Sequence, residues 1–265
     1  MYRTVENGRL AWFHEEAQDT FWDDHWQKNW GHDLFREAES GNLGEYEETF
    51  CTYLPATGPI LEAGCGTGVY VLALRQRGYD VEGVDNAAKT VQRVRELRPD
   101  LPVHPGDVTA LPCPDGHYAG YISLGVAEHF REGPEAVLQE AWRVLAPGGI
   151  AIVTVPWYNA LRRFKARLGL FHPAGSEGQR PFYQYAFHEQ VMVETLERLG
   201  FRLLHLDGYS PLKGLRDELP FIKSVLRLPK LGPALHWRLV AYLQRNGTRA
   251  PFCHMLRLVV QKPPK

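Results

Sequence analysis

Cysteine is scarce: the chain has four, Cys51, Cys65, Cys113 and Cys253, all far apart and none in a CxxC pair. That spacing argues against a structural zinc site or a dithiol redox centre, and a reduced, cytoplasmic setting is expected. No metal-ligating pattern such as HExxH occurs, so no metal is expected. Long apolar runs are also lacking. Nothing approaches the roughly 20 apolar residues of a membrane span, and the opening MYRTVENGRL has no apolar signal core. Internal repeats and low-complexity tracts are missing. Net charge is close to zero, −1 over 265 residues, and by itself names no partner.

The charge that is present is unevenly spread. Residues 1–159 hold 12 Lys and Arg against 24 Asp and Glu, whereas residues 160–265 hold 18 against 7. Such asymmetry marks either a surface for anionic partners or two sets of solvated faces. Four of the seven tryptophans fall in the first 30 residues, and Trp22, Trp26 and Trp30 recur every four residues. One helix would bring them to one face, as core packing or as an aromatic cover over a pocket.

From residue 60 short β-branched runs alternate with amphipathic stretches. PILEA, YDVEGVD, LPVHPGD, YAGYISLG and GIAIVTVP read as strands, and VYVLALRQRG, AAKTVQRVRELRP and PEAVLQEAWRVLAPGG as the helices between them. This rhythm implies a parallel sheet covered on both faces, an α/β fold. EQVMVETLERLG then reads as a helix, and FRLLHLDGY and CHMLRLVVQ as closing strands. Residues 157–187 and 210–252 read as two insertions. The expected organisation is an N-terminal helical lid over residues 1–50 and a main domain over 51–265 whose insertions cover the ligand edge.

The loop after the first of these strands, LEAGCGTG, carries Gly64, Gly66 and Gly68. Glycine there permits positive φ and close approach. A dinucleotide fingerprint would put its third glycine at position 69, which is Val69, so a nicotinamide enzyme is disfavoured. Turns without a ligand are the other alternative. Three acids argue for a ligand: Glu62 before the glycines, Asp85 at the end of the next strand, and Asp107 after the one beyond. They would lie along one sheet edge and suit an ammonium, a ribose and an exocyclic amine. S-adenosylmethionine has those three parts and no phosphate.

These residues, with GVDNA, GDVTALP, YISLGVAEHF and AWRVLAPGGIAIVTVP in order, resemble the class I S-adenosylmethionine-dependent methyltransferases. The small-molecule branch related to the ubiquinone and menaquinone methyltransferases is the most similar. The resemblance implies a Rossmann-like, doubly wound, mostly parallel seven-stranded sheet whose last strand is antiparallel. It implies that Glu62, Ala63, Gly64, Cys65, Gly66 and Gly68 hold the methionine end of the cofactor. Asp85 would take the ribose, with Asn86 beside it also on the cofactor, Asp107 and Val108 the adenine, and Leu124 and Gly125 would lie near the sulfonium. One departure stands out: relatives often carry an acid just before the fourth strand, where this chain has His117 and Gly120 around the entry.

A hydroxyl acceptor needs a base, and histidine suits that task near neutral pH. His129, beside Glu128, and His188, in FYQYAFH with Tyr183 and Tyr185, are the candidates; structural hydrogen bonds or packing are the alternative roles. The expected acceptor is a small molecule, lipid- or glycan-linked or another secondary metabolite, methylated at oxygen, with nitrogen or carbon as the alternative atoms. ALRRFKARLGLF and FIKSVLRLPKLGPALHWRLVAYLQR mix apolar and basic residues, which would suit an anionic membrane surface or equally a helix packed on the core. Nucleic acid is not expected, because no recognition motif is present. The rival readings are a protein that binds the cofactor without transfer and a methyltransferase acting on nucleic acid or protein.

Overall fold

A computed structural model describes residues 2–14, 17, 19–28, 30, 34–219, 238, 242 and 250–264. The main sheet contains β3 (Ile60–Ala63), β4 (Val81–Asp85), β5 (Val103–Pro105), β6 (Tyr118–Leu124), β7 (Leu145–Pro156), β9 (Arg202–Tyr209) and β10 (Met255–Gln261). Their spatial order is β5-β4-β3-β6-β7-β10-β9. β3 pairs in parallel with β4 on one side and β6 on the other, and β10 runs antiparallel to both β7 and β9. The chain therefore fills one half of the sheet from β3 outward and then crosses to fill the other. The crevice between the carboxyl ends of β3 and β6 is the switch point where such sheets bind ligands.

Alternation along the strands builds the two layers. Tyr121 of β6 and Leu258 of β10 face one layer with α6 (Glu135–Val144) and α8 (Glu189–Arg198). Their neighbours Ile122 and Val259 face the other, with α3 (Glu47–Tyr53), α4 (Val69–Gln76) and α5 (Ala88–Leu97). Both faces are apolar because both are covered. The sequence pattern extends the helix before β7 to Gly149, but α6 stops at Val144. Pro147 has no amide proton for a helical bond, and Gly148 sits at φ 83°, so Leu145 onward joins the strand.

A second, three-stranded sheet was not anticipated. The N-terminal segment opens with a hairpin, β1 (Tyr2–Glu6) and β2 (Arg9–Phe13), before any helix. β2 pairs with β8 (Phe182–Ala186), which belongs to the first insertion. The turn is Asn7-Gly8, both at positive φ (49° and 73°), the dipeptide that tight hairpins favour. Helix α1 (Asp19–Lys28) follows and holds Trp22 and Trp26, whereas Trp30 lies beyond its end and packs on Phe35.

The first insertion also supplies α7 (Ala160–Arg167), whose charges are used differently from the sequence expectation. Arg162 is fully buried and donates to Glu218 at 3.0 Å, at the end of α9 (Pro211–Glu218). Lys165 and Arg3 reach the same carboxylate, each at 2.7 Å. Burial alone would raise the Glu218 carboxyl, but the three cations hold it below its ordinary value. This buried cluster ties β1, α7 and α9 together. Arg163 pairs with Glu189, while Arg167, Phe164, Leu168 and Leu170 are exposed. The second basic segment, with Phe221, Ile222, Lys223, Val225, Leu226, Arg227 and Lys230, lies outside the described residues.

Candidate active site

A cavity of about 650 Å³ opens at the switch point. Gly64 lines its floor, and Gly66 and Gly68 follow in the same loop; the three sit at φ 80°, 52° and 71°. These are left-handed conformations that other residues resist. Space matters as well. A Cβ on Gly64 would stand 2.3 Å from Val126 Cγ2, and one on Gly66 would stand 2.4 Å from Trp26 Cζ2. Gly64 and Cys65 donate their amides to the carbonyl of Val84, which pins the loop to β4. Cys65 and Ala63 are buried behind this floor, with the Cys65 thiol packed close to Gly83.

The three predicted acids take distinct positions. Asp85 is on the cavity wall, where its Oδ2 accepts from the Gly66 amide at 2.7 Å and its Oδ1 from the Ala87 amide at 2.9 Å. Asn86 is exposed beside it. Asp107 also lines the wall, and its Oδ1 accepts from the amide and hydroxyl of Thr109. Val108, Leu124 and Gly125 complete the same wall. Glu62 is different. It is only 3% exposed, is not among the wall residues, and burial pushes its pKa up to about 8. Its Oε2 has no hydrogen-bond partner among the described residues.

That orphaned oxygen fits the amino-acid end of S-adenosylmethionine, because a buried carboxylate held otherwise by the Val71 backbone still needs a cation, directly or through water. The fit has a measurable consequence. At pH 7 Glu62 is then mostly protonated, and an ammonium nearby would ionise it. Binding of S-adenosylhomocysteine at pH 7 is therefore expected to release about one proton. Affinity should rise with pH up to about 8 and then level off. Calorimetry in phosphate and in Tris checks this; a binding heat independent of the buffer would remove Glu62 from the role.

His129 stands on the same wall. Its Nδ1 is 2.8 Å from the Tyr183 carbonyl oxygen. A carbonyl only accepts, so Nδ1 carries the proton and Nε2 keeps its lone pair. Burial lowers the imidazole to about 4, against the Tyr183 bond and with help from His25, so the ring is neutral across the physiological range. Trp22 meets it edge-on at 4.7 Å between ring centroids. Behind it, Glu128 lies 3.9 Å from Nε2 and is pushed up to about 8 by burial, a neutral neighbour at pH 7.

The other two candidates are placed differently. Tyr183 contributes its carbonyl to His129, and its ring flanks the imidazole at 5.1 Å; it is not among the wall residues. His188 does not reach the cavity. It caps α8, where its Nδ1 accepts from the Gln190 amide. Asp23 and Arg131 escaped the sequence reading. Asp23 fixes α1 over the cavity mouth by accepting from the amide and hydroxyl of Thr90 on α5. Arg131 lines the wall two residues after His129, a cation at the ligand edge that HFREG displays in plain view.

The sheet order, with the glycine loop and two carboxylates at its switch point, is that of a Rossmann-like α/β domain. A family model described as a methyltransferase domain matches residues 61–153. The chain is 30% identical over 158 residues to a Mycolicibacterium smegmatis protein named as a probable S-adenosylmethionine-dependent methyltransferase, a match covering 60% of this chain and 57% of that protein. It is 31% identical over 169 residues to a malonyl-acyl-carrier-protein O-methyltransferase of Erwinia pyrifoliae, covering 63% and 60%. A methyltransferase structure from Archaeoglobus fulgidus shares the fold, with a TM-score of 0.55 at 15% identity over 86% of this chain and 98% of that one. The matches span less than two thirds of the length of either sequence relative. Residues 61–153 thus match a methyltransferase domain, within a fold shared with a solved S-adenosylmethionine-dependent methyltransferase. Among the described residues no helix is long and apolar enough to cross a membrane.

Proposed function

We propose that the chain methylates an oxygen of a small-molecule acceptor, with His129 receiving the hydroxyl proton. The observation that carries this reading is the imidazole itself, lining the cavity with its tautomer set by the Tyr183 carbonyl. The bound cofactor supplies an activated methyl group. The chain then has to orient the acceptor, exclude water and accept one proton. Trp22 and Trp26 wall the cavity against solvent, and α1, tethered through Asp23, serves as the cover. Residues 1–50 are thus read as a lid, here a hairpin plus helices, over the transferase domain of residues 51–265. An acceptor tethered to a lipid, a glycan or a carrier could enter from the open side of this cover. The similarity to an enzyme named for methylating a carrier-bound malonyl group supports oxygen as the acceptor atom. Glu218 and Glu189 engage three of the four α7 cations, which leaves only Arg167 of this helix for an anionic surface.

His129→Ala is expected to lower turnover about a hundredfold or more, the usual worth of a positioned base, with little change in affinity for S-adenosylhomocysteine. His188→Ala is expected to keep turnover and lose about 1 kcal/mol of stability with its helix cap. Release of S-adenosylhomocysteine from an acceptor panel reads the first, and thermal melting the second. Full turnover by the His129 variant would remove acid–base catalysis by this residue. Proton transfer is expected to persist well below pH 6.5, since His129 stays neutral down to about 4.

A further inference from the structure

The cavity does not end at His129. A second hollow, of about 530 Å³, shares Ala17, His129, Arg131 and Glu132 with it and continues along β8 to Phe182, Glu177 and Arg180. A third, of about 330 Å³, shares Phe13 and Arg180 with the second and is lined otherwise by Tyr2, His14 and His172. The three form one trough from the glycine loop across the small sheet of β1, β2 and β8. Its middle walls are aromatic, with Phe13 edge-on to both Tyr2 and Phe182.

Charge changes sign along this trough. The cofactor end carries Asp85 and Asp107 on its wall. The middle is balanced: Glu132 and Glu177 line it with Arg131 and Arg180, and Arg131 is already held by Glu6 and Tyr185. The far end has Arg180 and two histidines, and no carboxylate among the described lining residues. Arg180 is exposed. Its Nη1 donates to the Glu177 carbonyl at 2.9 Å, its guanidinium lies 4.5 Å over the Tyr2 ring, and no carboxylate pairs with it among the described residues. The Tyr2 ring is in turn stacked on His172 at 3.9 Å, so the guanidinium is held on an aromatic platform.

We propose that this far end is an anion subsite, and that the acceptor is an elongated, partly aromatic molecule with its methyl-accepting group at His129 and a carboxylate-type group on Arg180. The inference rests on reading the cavity as a methyl-transfer site. The two ends sort their ligands by charge. The acidic end attracts the cationic cofactor and repels an anion, while the Arg180 end does the reverse. A planar guanidinium stacked on an aromatic ring and lacking an acidic partner is well arranged to grip a carboxylate with two parallel hydrogen bonds.

The probe is 4-(4-hydroxyphenyl)butanoate against its neutral amide, each titrated by calorimetry into the whole protein saturated with S-adenosylhomocysteine. The acid is expected to bind at least about fivefold tighter than the amide. Arg180→Ala should abolish that preference, and Arg180→Lys should restore part of it. Equal binding of acid and amide, or a preference that survives Arg180→Ala, would overturn the proposal. S-adenosylhomocysteine affinity is measured on the same Arg180→Ala sample and is expected to be unchanged. If wild-type protein fails to bind S-adenosylhomocysteine, the cofactor reading fails, whereas the acid–amide comparison still judges the subsite by itself.

Discussion

Glu62→Gln is expected to weaken S-adenosylhomocysteine binding about tenfold to a hundredfold while leaving the melting temperature unchanged or higher. The two effects have one cause. Glu62 is buried and its carboxyl is pushed up to about 8, so ionising it inside the fold is costly. A carboxyl whose folded pKa lies above its unfolded value holds its proton longer in the fold. Stability is then fully present below about pH 4.5 and falls as pH rises toward 8. Glutamine never ionises, so the variant escapes that loss, and its advantage grows with pH. Binding moves the other way: a charge-assisted contact to the ammonium is worth roughly 1.5–3 kcal/mol, and glutamine cannot supply the charge. Melting at pH 6 and pH 8.5, with calorimetry at pH 8, separates the two. A large loss of stability with unchanged affinity would make Glu62 a structural residue.

Glu218→Ala is expected to cost about 3–5 kcal/mol, because it leaves Arg162 buried beside Arg3 and Lys165 with no carboxylate. For a chain of this size that is a drop of roughly 10 °C in melting temperature. Glu218→Gln should recover little, since an amide does not neutralise three cations. Pairing Glu218→Leu with Arg162→Met should recover much more, as apolar side chains of similar volume often replace buried ion pairs at little cost. Folded variant is expected to keep its affinity for S-adenosylhomocysteine, because the cluster lies among β1, α7 and α9 rather than on the cavity wall. A loss below about 1 kcal/mol on thermal melting would mean that the cluster is solvated and weak.

Much of the site was legible because the chemistry is local. The alternation of strands and helices places Gly64, Asp85, Asp107 and Leu124 at strand ends, and strand ends in such a sheet share one rim. What required the third dimension was depth. Glu62 stands two residues before the wall residue Gly64 in sequence, yet it is buried and is not itself among the wall residues. His129 and His188 are equally plausible bases on paper, but one lines the cavity and the other is spent on capping a helix. The α7 cations look solvent-facing in the sequence; only the packing of α9 reveals a buried acid that holds two of them, Arg162 and Lys165. The hairpin at Asn7-Gly8 is another matter, since its turn dipeptide was readable, but the aromatic helix behind it drew the reading of the whole segment.

Acids and glycines at the β3–β6 crevice are expected to bind the adenosyl cofactor. Isothermal titration of folded wild-type protein with S-adenosylhomocysteine at pH 8 tests this most directly. One site per chain is predicted, lost to a large extent in Asp85→Ala. Absence of binding by protein that melts cooperatively would contradict the account.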